Sequence, residues 1–162
     1  MNKKIKILSI IISILLVVGC SSKNSSIEND NHPEKYTLIY NDKEFELGTV
    51  FTREKYGKEI EYSEVPSCAF EGLDKTYKYA HYEITTYQEN NNDIILSIYF
   101  LDTEIKTTEG ISIGDSLNDV INKYGNNYVN NGIEYNYTLG HSSIIFLVEN
   151  NIVTSIEYKY IQ

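Results

Sequence analysis

The chain has 162 residues, 14 basic against 23 acidic side chains and a formal charge of −9. Such acidity argues against nucleic acid or anionic lipid as a partner held by charge. Two cysteines exclude a disulfide framework.

Residues 1–19 read as a targeting segment. Lys3, Lys4 and Lys6 make a basic start, and Ile7 to Val18 is an apolar run broken only by Ser9 and Ser13. That length suits a signal-peptide core and is short for a membrane span. The run ends in Leu16-Val17-Val18-Gly19-Cys20, which resembles the lipobox of bacterial lipoproteins. The resemblance implies cleavage before Cys20 and lipid on its sulfur, and hence a place at the outer face of the cell membrane. An ordinary secretory peptide or an uncleaved anchor is the alternative. Two or three acyl chains would anchor stably where one binds only marginally.

Residues 20–33 form the expected tether. Ser21 to Pro33 is too polar to build a core, and thirteen flexible residues reach roughly 20 Å. Without Lys3, Lys4 and Lys6, 11 basic residues face 23 acidic ones, a charge of −12. This suits a basic partner, and nucleic acid is not expected as one.

The folded part opens with a hairpin: Tyr36 to Tyr40, a turn at Asn41-Asp42-Lys43, and Glu44 to Leu47. A short segment, Thr49 to Tyr56, closes at Gly57, and Lys58 to Lys75 reads as irregular. Glu59, Glu61 and Glu64 in that stretch offer either a cation site or, more commonly, a solvated face. Cys68 sits in a small, apolar run and reads as a buried structural thiol. A nucleophile there would need a base, for which His81 is the available residue. Strands follow at Thr76 to Ala80, Tyr82 to Tyr87 and Ile94 to Leu101. Ile94, Leu96, Ile98 and Phe100 share a face expected to point inward.

The clearest element is Gly110 to Gly125, GISIGDSLNDVINKYG. Asp115 or Ser116 can cap a helix there, and Asp119 stands three residues after Ser116, close to a capping box. Leu117, Val120, Ile121 and Tyr124 form one helical face, and Gly125 marks the end. Val120 and Ile121 are expected to be buried against the last strands, in which Ile144, Phe146 and Val148 share one face and Ile152, Ile156, Tyr158 and Tyr160 another.

Four motifs recur in order. Phe45-Glu46-Leu47-Gly48 matches Ile111-Ser112-Ile113-Gly114; Lys55-Tyr56-Gly57 matches Lys123-Tyr124-Gly125. Tyr77-Lys78-Tyr79 matches Tyr135-Asn136-Tyr137, each before a histidine, His81 or His141. Asn91 to Ile98 matches Asn150 to Ile156. Two tandem units follow from this order, residues 34–105 and 106–162. Each has a hydrophobic-x-hydrophobic-Gly entry, a short helix and three strands, with Gly57 and Gly125 at positive φ.

The Ile111 to Gly125 run resembles the helix motif of SmpA/OmlA-type envelope lipoproteins. Two such units in tandem resemble the β-lactamase inhibitor protein, and the whole chain resembles lipoproteins of low-GC Gram-positive bacteria. The helix that the resemblance would add after Gly57 and Gly125 is not evident in the sequence. The resemblance implies an α+β fold with short helices packed on one sheet face, the other face open to a protein, and no catalysis.

Fifteen tyrosines and no tryptophan exceed what a small core needs, and tyrosine is enriched at interfaces. Parity places Tyr87 and Tyr99 outward, and Tyr79 is expected to join them as a binding cluster. A cover formed by Lys58 to Lys75 would instead make them core. The favoured reading is a lipid-anchored, non-enzymatic protein-interaction module at the cell envelope, with no cofactor and no metal. A cell-wall or carbohydrate-binding surface protein is the alternative, and an exported enzyme, for which no catalytic motif is present, is a weaker one.

Overall fold

The computed structural model describes residues 34–162. The targeting segment, Cys20 and the tether lie outside the described residues. Among the described residues ten strands form two sheets: β1 (Leu38–Tyr40) pairs with β2 (Lys43–Phe45), and the other eight make one antiparallel sheet. These are β3 (Glu61–Pro66), β4 (Leu73–Lys78), β5 (Tyr82–Glu89), β6 (Asn92–Phe100), β7 (Val129–Asn131), β8 (Glu134–Leu139), β9 (Ser142–Glu149) and β10 (Ile152–Tyr160). Their spatial order is β3-β4-β5-β6-β10-β9-β8-β7. Two four-stranded meanders therefore join through their last strands, with Glu157 opposite Tyr99, Tyr158 opposite Ile98 and Lys159 opposite Ser97.

Three hairpins turn on asparagine. Asn41-Asp42, Asn90-Asn91 and Asn150-Asn151 all have positive φ, between 50° and 68°. Tight hairpin turns require that hand at both central residues, and Asn and Asp tolerate it best among residues with a side chain.

The expected fold class is corrected. This is a mostly antiparallel β protein, not an α+β fold with a helical layer on the sheet. Among the described residues the helices are α1 (Arg53–Tyr56), of four residues, and α2 (Leu117–Tyr124), of eight. Each buries one residue fully, Tyr56 and Val120. The core is completed instead by Leu38, Phe45 and Leu47 around the small hairpin and by Ile105 and Ile111 in the connection before α2. Elements of one or two turns offer too little apolar surface to build a layer. The stretches after Gly57 and Gly125 lead to β3 and β7, the two sheet edges.

Helix α2 ends as its sequence predicts. The Ser116 hydroxyl accepts from the Asp119 N–H at 3.2 Å, and the Asp119 carboxylate accepts from the Ser116 N–H at 3.1 Å. Gly57 and Gly125 follow the helices with φ of 98° and 80°. Ile121 is only half-buried, so the weight of the packing falls on Val120. Successive α-helical positions turn by about 100°, and Val120 takes the centre of the buried stripe.

One row of side chains crosses the inner face: Tyr77, Ile84, Ile98, Tyr158, Ile144 and Tyr137, linked by strand register and all buried. Burial of an apolar side chain of this size stabilises by roughly 1.5–3 kcal/mol. Two β-bulges interrupt the alternation. Leu96 is the extra residue in β6 and Thr154 in β10, because register jumps from Ser97 to Ile95 and from Ser155 to Val153. Each bulge reverses parity beyond it. Ile95 and Val153 therefore join the core cluster. Ile152, expected on the inner face, is 43% exposed, and Ile94 is buried outside the main cluster, opposite Tyr87.

Corresponding hydrogen bonds occur in both meanders. Gly48 N–H donates to Ile95 O and Ile95 N–H to Thr49 O, both at 2.9 Å; Gly114 N–H donates to Val153 O and Val153 N–H to Asp115 O, both at 2.8 Å. The His81 and His141 carbonyls accept from Leu101 and Ile161 N–H, both at 2.9 Å.

Candidate interaction surface

One face of the eight-stranded sheet carries the core; side chains of the opposite parity make the outer face, which an antiparallel sheet can leave in water. At its centre a cross-strand row runs Lys78, Glu83, Tyr99, Glu157, Ile145, Asn136. The neighbouring row runs Thr76, Thr85, Ser97, Lys159, Ser143, Thr138. Tyr99 is 39% exposed and stands between Glu83 and Glu157, with the small Ser97 two residues away on its own strand. A large amphipathic ring among short polar side chains is the kind of residue that supplies contact area at little entropic cost. Lys78 lies 3.8 Å from both Glu61 and Glu83, so the first half of the row is charge-balanced by contacts exposed enough to rearrange.

The three tyrosines expected as a binding cluster do not come together. Tyr79 is 3% exposed and lies in the core, stacked on Tyr82 at 4.8 Å between ring centroids. It shares the parity of Tyr77, an inner-face residue. Tyr87 is also 3% exposed, on the other side of the sheet, under the Phe70 ring. The segment read as irregular thus holds a strand, β3, and supplies that cover. All six residues of β3 are exposed, so no burial pattern marks it in the sequence. Of the three, Tyr99 alone remains on the open surface.

Cys68, expected to be buried, is exposed. It lies in the β3–β4 loop, whereas His81 lies in the β4–β5 turn at the opposite end of β4. His81 is engaged instead by Asp102, with 2.8 Å between Nδ1 and Oδ2. Desolvation pushes the Asp102 carboxyl up, but the Glu104 N–H and His81 outweigh it and hold it below the usual range. The three spaced acids have separate partners. Glu59 binds Arg53, Glu61 faces Lys78, and Glu64 accepts from the Tyr62 hydroxyl. No group of three or more His, Cys, Asp or Glu placed to hold a metal occurs among the described residues. Arg53 itself lies over the Tyr62 and Tyr77 rings, 5.2 and 5.3 Å from their centroids, which ties α1 to β3 and β4 by cation–π contact.

Sequence reasoning missed Glu157, opposite Tyr99, and Lys159, opposite Ser97, as neighbours of Tyr99. They become so only through the β6–β10 pairing, which joins residues about sixty apart and has no local signal. No family model, curated protein or solved structure matches the chain.

Proposed function

We propose that the chain is a lipoprotein anchored through Cys20 on the extracytoplasmic face of the cell membrane, and that it works there as a non-enzymatic protein-interaction module. In this reading it consists of two tandem SmpA/OmlA-like units, and its partner is an envelope or extracellular protein with a basic surface. The observation that carries the proposal is the open sheet face centred on Tyr99, bordered by Glu83 and Glu157. An aromatic anchor inside a polar rim is how a small patch concentrates binding energy, and the acidic chain favours a cationic partner. The matched hydrogen bonds at Gly48 and Gly114 and the bulges at Leu96 and Thr154 support the tandem reading.

The test is a photo-cross-linking amino acid placed at Tyr99 in the full chain in its own envelope, with the exposed edge position Asn130 as control. A protein adduct from position 99 that weakens with added salt and is absent from position 130 is expected. Equal adducts from both positions, or a glycan as the only adduct, would count against the reading.

A further inference from the structure

A second site lies at the edge of the core, independent of the open face. A cleft of about 300 Å³ opens between the β1–β2 hairpin, the end of α1 and the β4–β5 turn. Its walls include Tyr40, Tyr79 and Tyr82, and it is also lined by Lys43, Lys58 and His81. Among the described residues no carboxylate lines it, although the chain carries 23 acidic residues.

Lys35, Arg53, Lys75 and Lys78 are all ion-paired, with Glu46, Glu59, Asp93 and the Glu61–Glu83 pair. Lys43 and Lys58, like Lys55, Lys106, Lys123 and Lys159, have no such partner among the described residues. Glu59, next to Lys58, is taken by Arg53. The fold brings the two lysines to one place. Lys43 Nζ lies 3.8 Å from where a side chain on Gly57 would begin, and Lys58 follows Gly57. The Tyr82 hydroxyl donates to the Tyr56 carbonyl at 3.1 Å and holds this segment on the cleft wall. His81 is held at Nδ1 by Asp102, so Nε2 is the nitrogen left for a ligand. The Tyr79 hydroxyl, buried in the wall, has no hydrogen-bond partner among the described residues, and such an orphan costs free energy unless a ligand or a rearrangement satisfies it.

The other meander supplies an internal comparison. His141 occupies the corresponding turn and lines a cleft of about 250 Å³ with Lys35 and Tyr160. There Lys35 is bound by Glu46, and His141 Nδ1 lies 3.2 Å from the Ile161 carbonyl oxygen. The His141 cleft thus holds its one lysine in an ion pair, whereas the two lysines of the His81 cleft have none among the described residues.

We infer that this cleft binds a phosphate ester. Two ammonium groups and an imidazole, spread around one opening, match an anion with several oxygens better than a two-oxygen carboxylate, and lysine serves as a point charge for phosphate. The Tyr40 and Tyr82 rings, edge-to-face at 6.0 Å, give the ester's carbon skeleton an apolar wall. The ester is either a soluble molecule or a lipid headgroup.

Calorimetric titration of the full chain with inorganic phosphate, glycerol 3-phosphate and dihexanoyl phosphatidylglycerol separates these sources. Phosphate and glycerol 3-phosphate should bind. K43A/K58A should weaken both by about tenfold or more, while the charge-matched K123A/K159A leaves them unchanged. Lysine-dependent binding of the short lipid equal to that of glycerol 3-phosphate assigns the site to a headgroup; absence of lipid binding assigns it to a soluble ester. Independently of any variant, phosphate should shift the His81 ring resonances in the unmodified chain and leave those of His141 in place. No binding, equal loss in both double variants, or equal shifts at both histidines overturns the assignment.

Discussion

The Phe70 ring stacks on the Tyr87 ring at 4.3 Å between centroids, with the planes 26° apart. This contact, on the side of the sheet away from the core cluster, removes Tyr87 from the open surface. Phe70 is itself only half-buried, so Phe70→Ala should cost less than a fully buried aromatic, about 1–3 kcal/mol in urea unfolding. The variant should also make Tyr87 reactive to tetranitromethane, read by mass spectrometry. Unchanged nitration at Tyr87 would show that Phe70 is not its cover.

The tyrosine core predicts alkaline sensitivity. Burial pushes the hydroxyls of Tyr56, Tyr79 and Tyr137 up to about 12, from an ordinary value near 10; the Glu46 charge adds to the effect at Tyr56 and the Glu59 charge at Tyr79. Tyr124 is shifted upward too, by burial first and then by the charges around it. Because the folded state keeps these protons and the unfolded state releases them above pH 10, their contribution to stability is fully present below about pH 10. It is lost as pH rises toward 12. Tyrosinate absorbance at 295 nm should therefore rise in two stages, exposed rings first and the buried set together with loss of the folded circular dichroism signal. A single gradual titration with the fold intact would contradict this.

The two helix starts differ in a way that thermal or urea unfolding can read. Ser116 caps α2 through a reciprocal pair with Asp119, so Ser116→Ala should cost about 1 kcal/mol. Thr52, at the start of α1, makes no side-chain cap bond, and Thr52→Ala should change stability by no more than about 0.5 kcal/mol. Equal costs would mean that the reciprocal bonds contribute nothing beyond intrinsic propensity.

Gly48 is held by contact as well as by conformation. Its φ is +73°, and a Cβ there would come within 2.5 Å of the Tyr160 ring. Gly48→Ala should destabilise by about 1–3 kcal/mol. Tyr160→Leu introduced beside it should recover the part due to the clash and leave the part due to φ. A double variant no more stable than Gly48→Ala alone would assign the whole cost to the backbone.

The anchoring proposal is tested apart from the fold. Cys20→Ala should abolish incorporation of a palmitate analogue and leave an unprocessed precursor on gels. Label retained by that variant would remove Cys20 as the attachment point.

Local chemistry in the sequence carried a good part of the architecture. Asn41-Asp42 and Asn90-Asn91 specify tight turns through their tolerance of positive φ, and the Ser116–Asp119 spacing specifies a helix start. Such features depend on residues within about four positions of one another, so no distant part of the chain is needed to read them. The fold class read from them was nonetheless wrong. Helical spacing marks where a helix forms, not how much of a sheet it covers, and α2 fully buries only Val120.

Face assignment held for Ile98, Phe100, Ile144, Phe146, Val148, Ile156 and Tyr158 and failed for Ile94 and Ile152, for a related reason. Alternation along β6 and β10 is a sequence property only while the register is unbroken, and the bulges at Leu96 and Thr154 shift it by one. A bulge is set by the partner strand and leaves no fixed mark in the residues it displaces. Tyr79, Tyr87 and Tyr99 look equivalent as strand tyrosines, yet one stacks on Tyr82, one lies under Phe70 and one faces solvent. Sequence by itself determined the acidic charge, the turns, the α2 cap and the lipobox-like entry, because each rests on neighbouring residues. Which tyrosines are buried, that Lys159 stands beside Ser97, and that Lys43 and Lys58 share one cleft were decided only by tertiary structure. Those relations arise from pairings between distant strands, whose energy comes from burial across the whole sheet and not from any short run of residues.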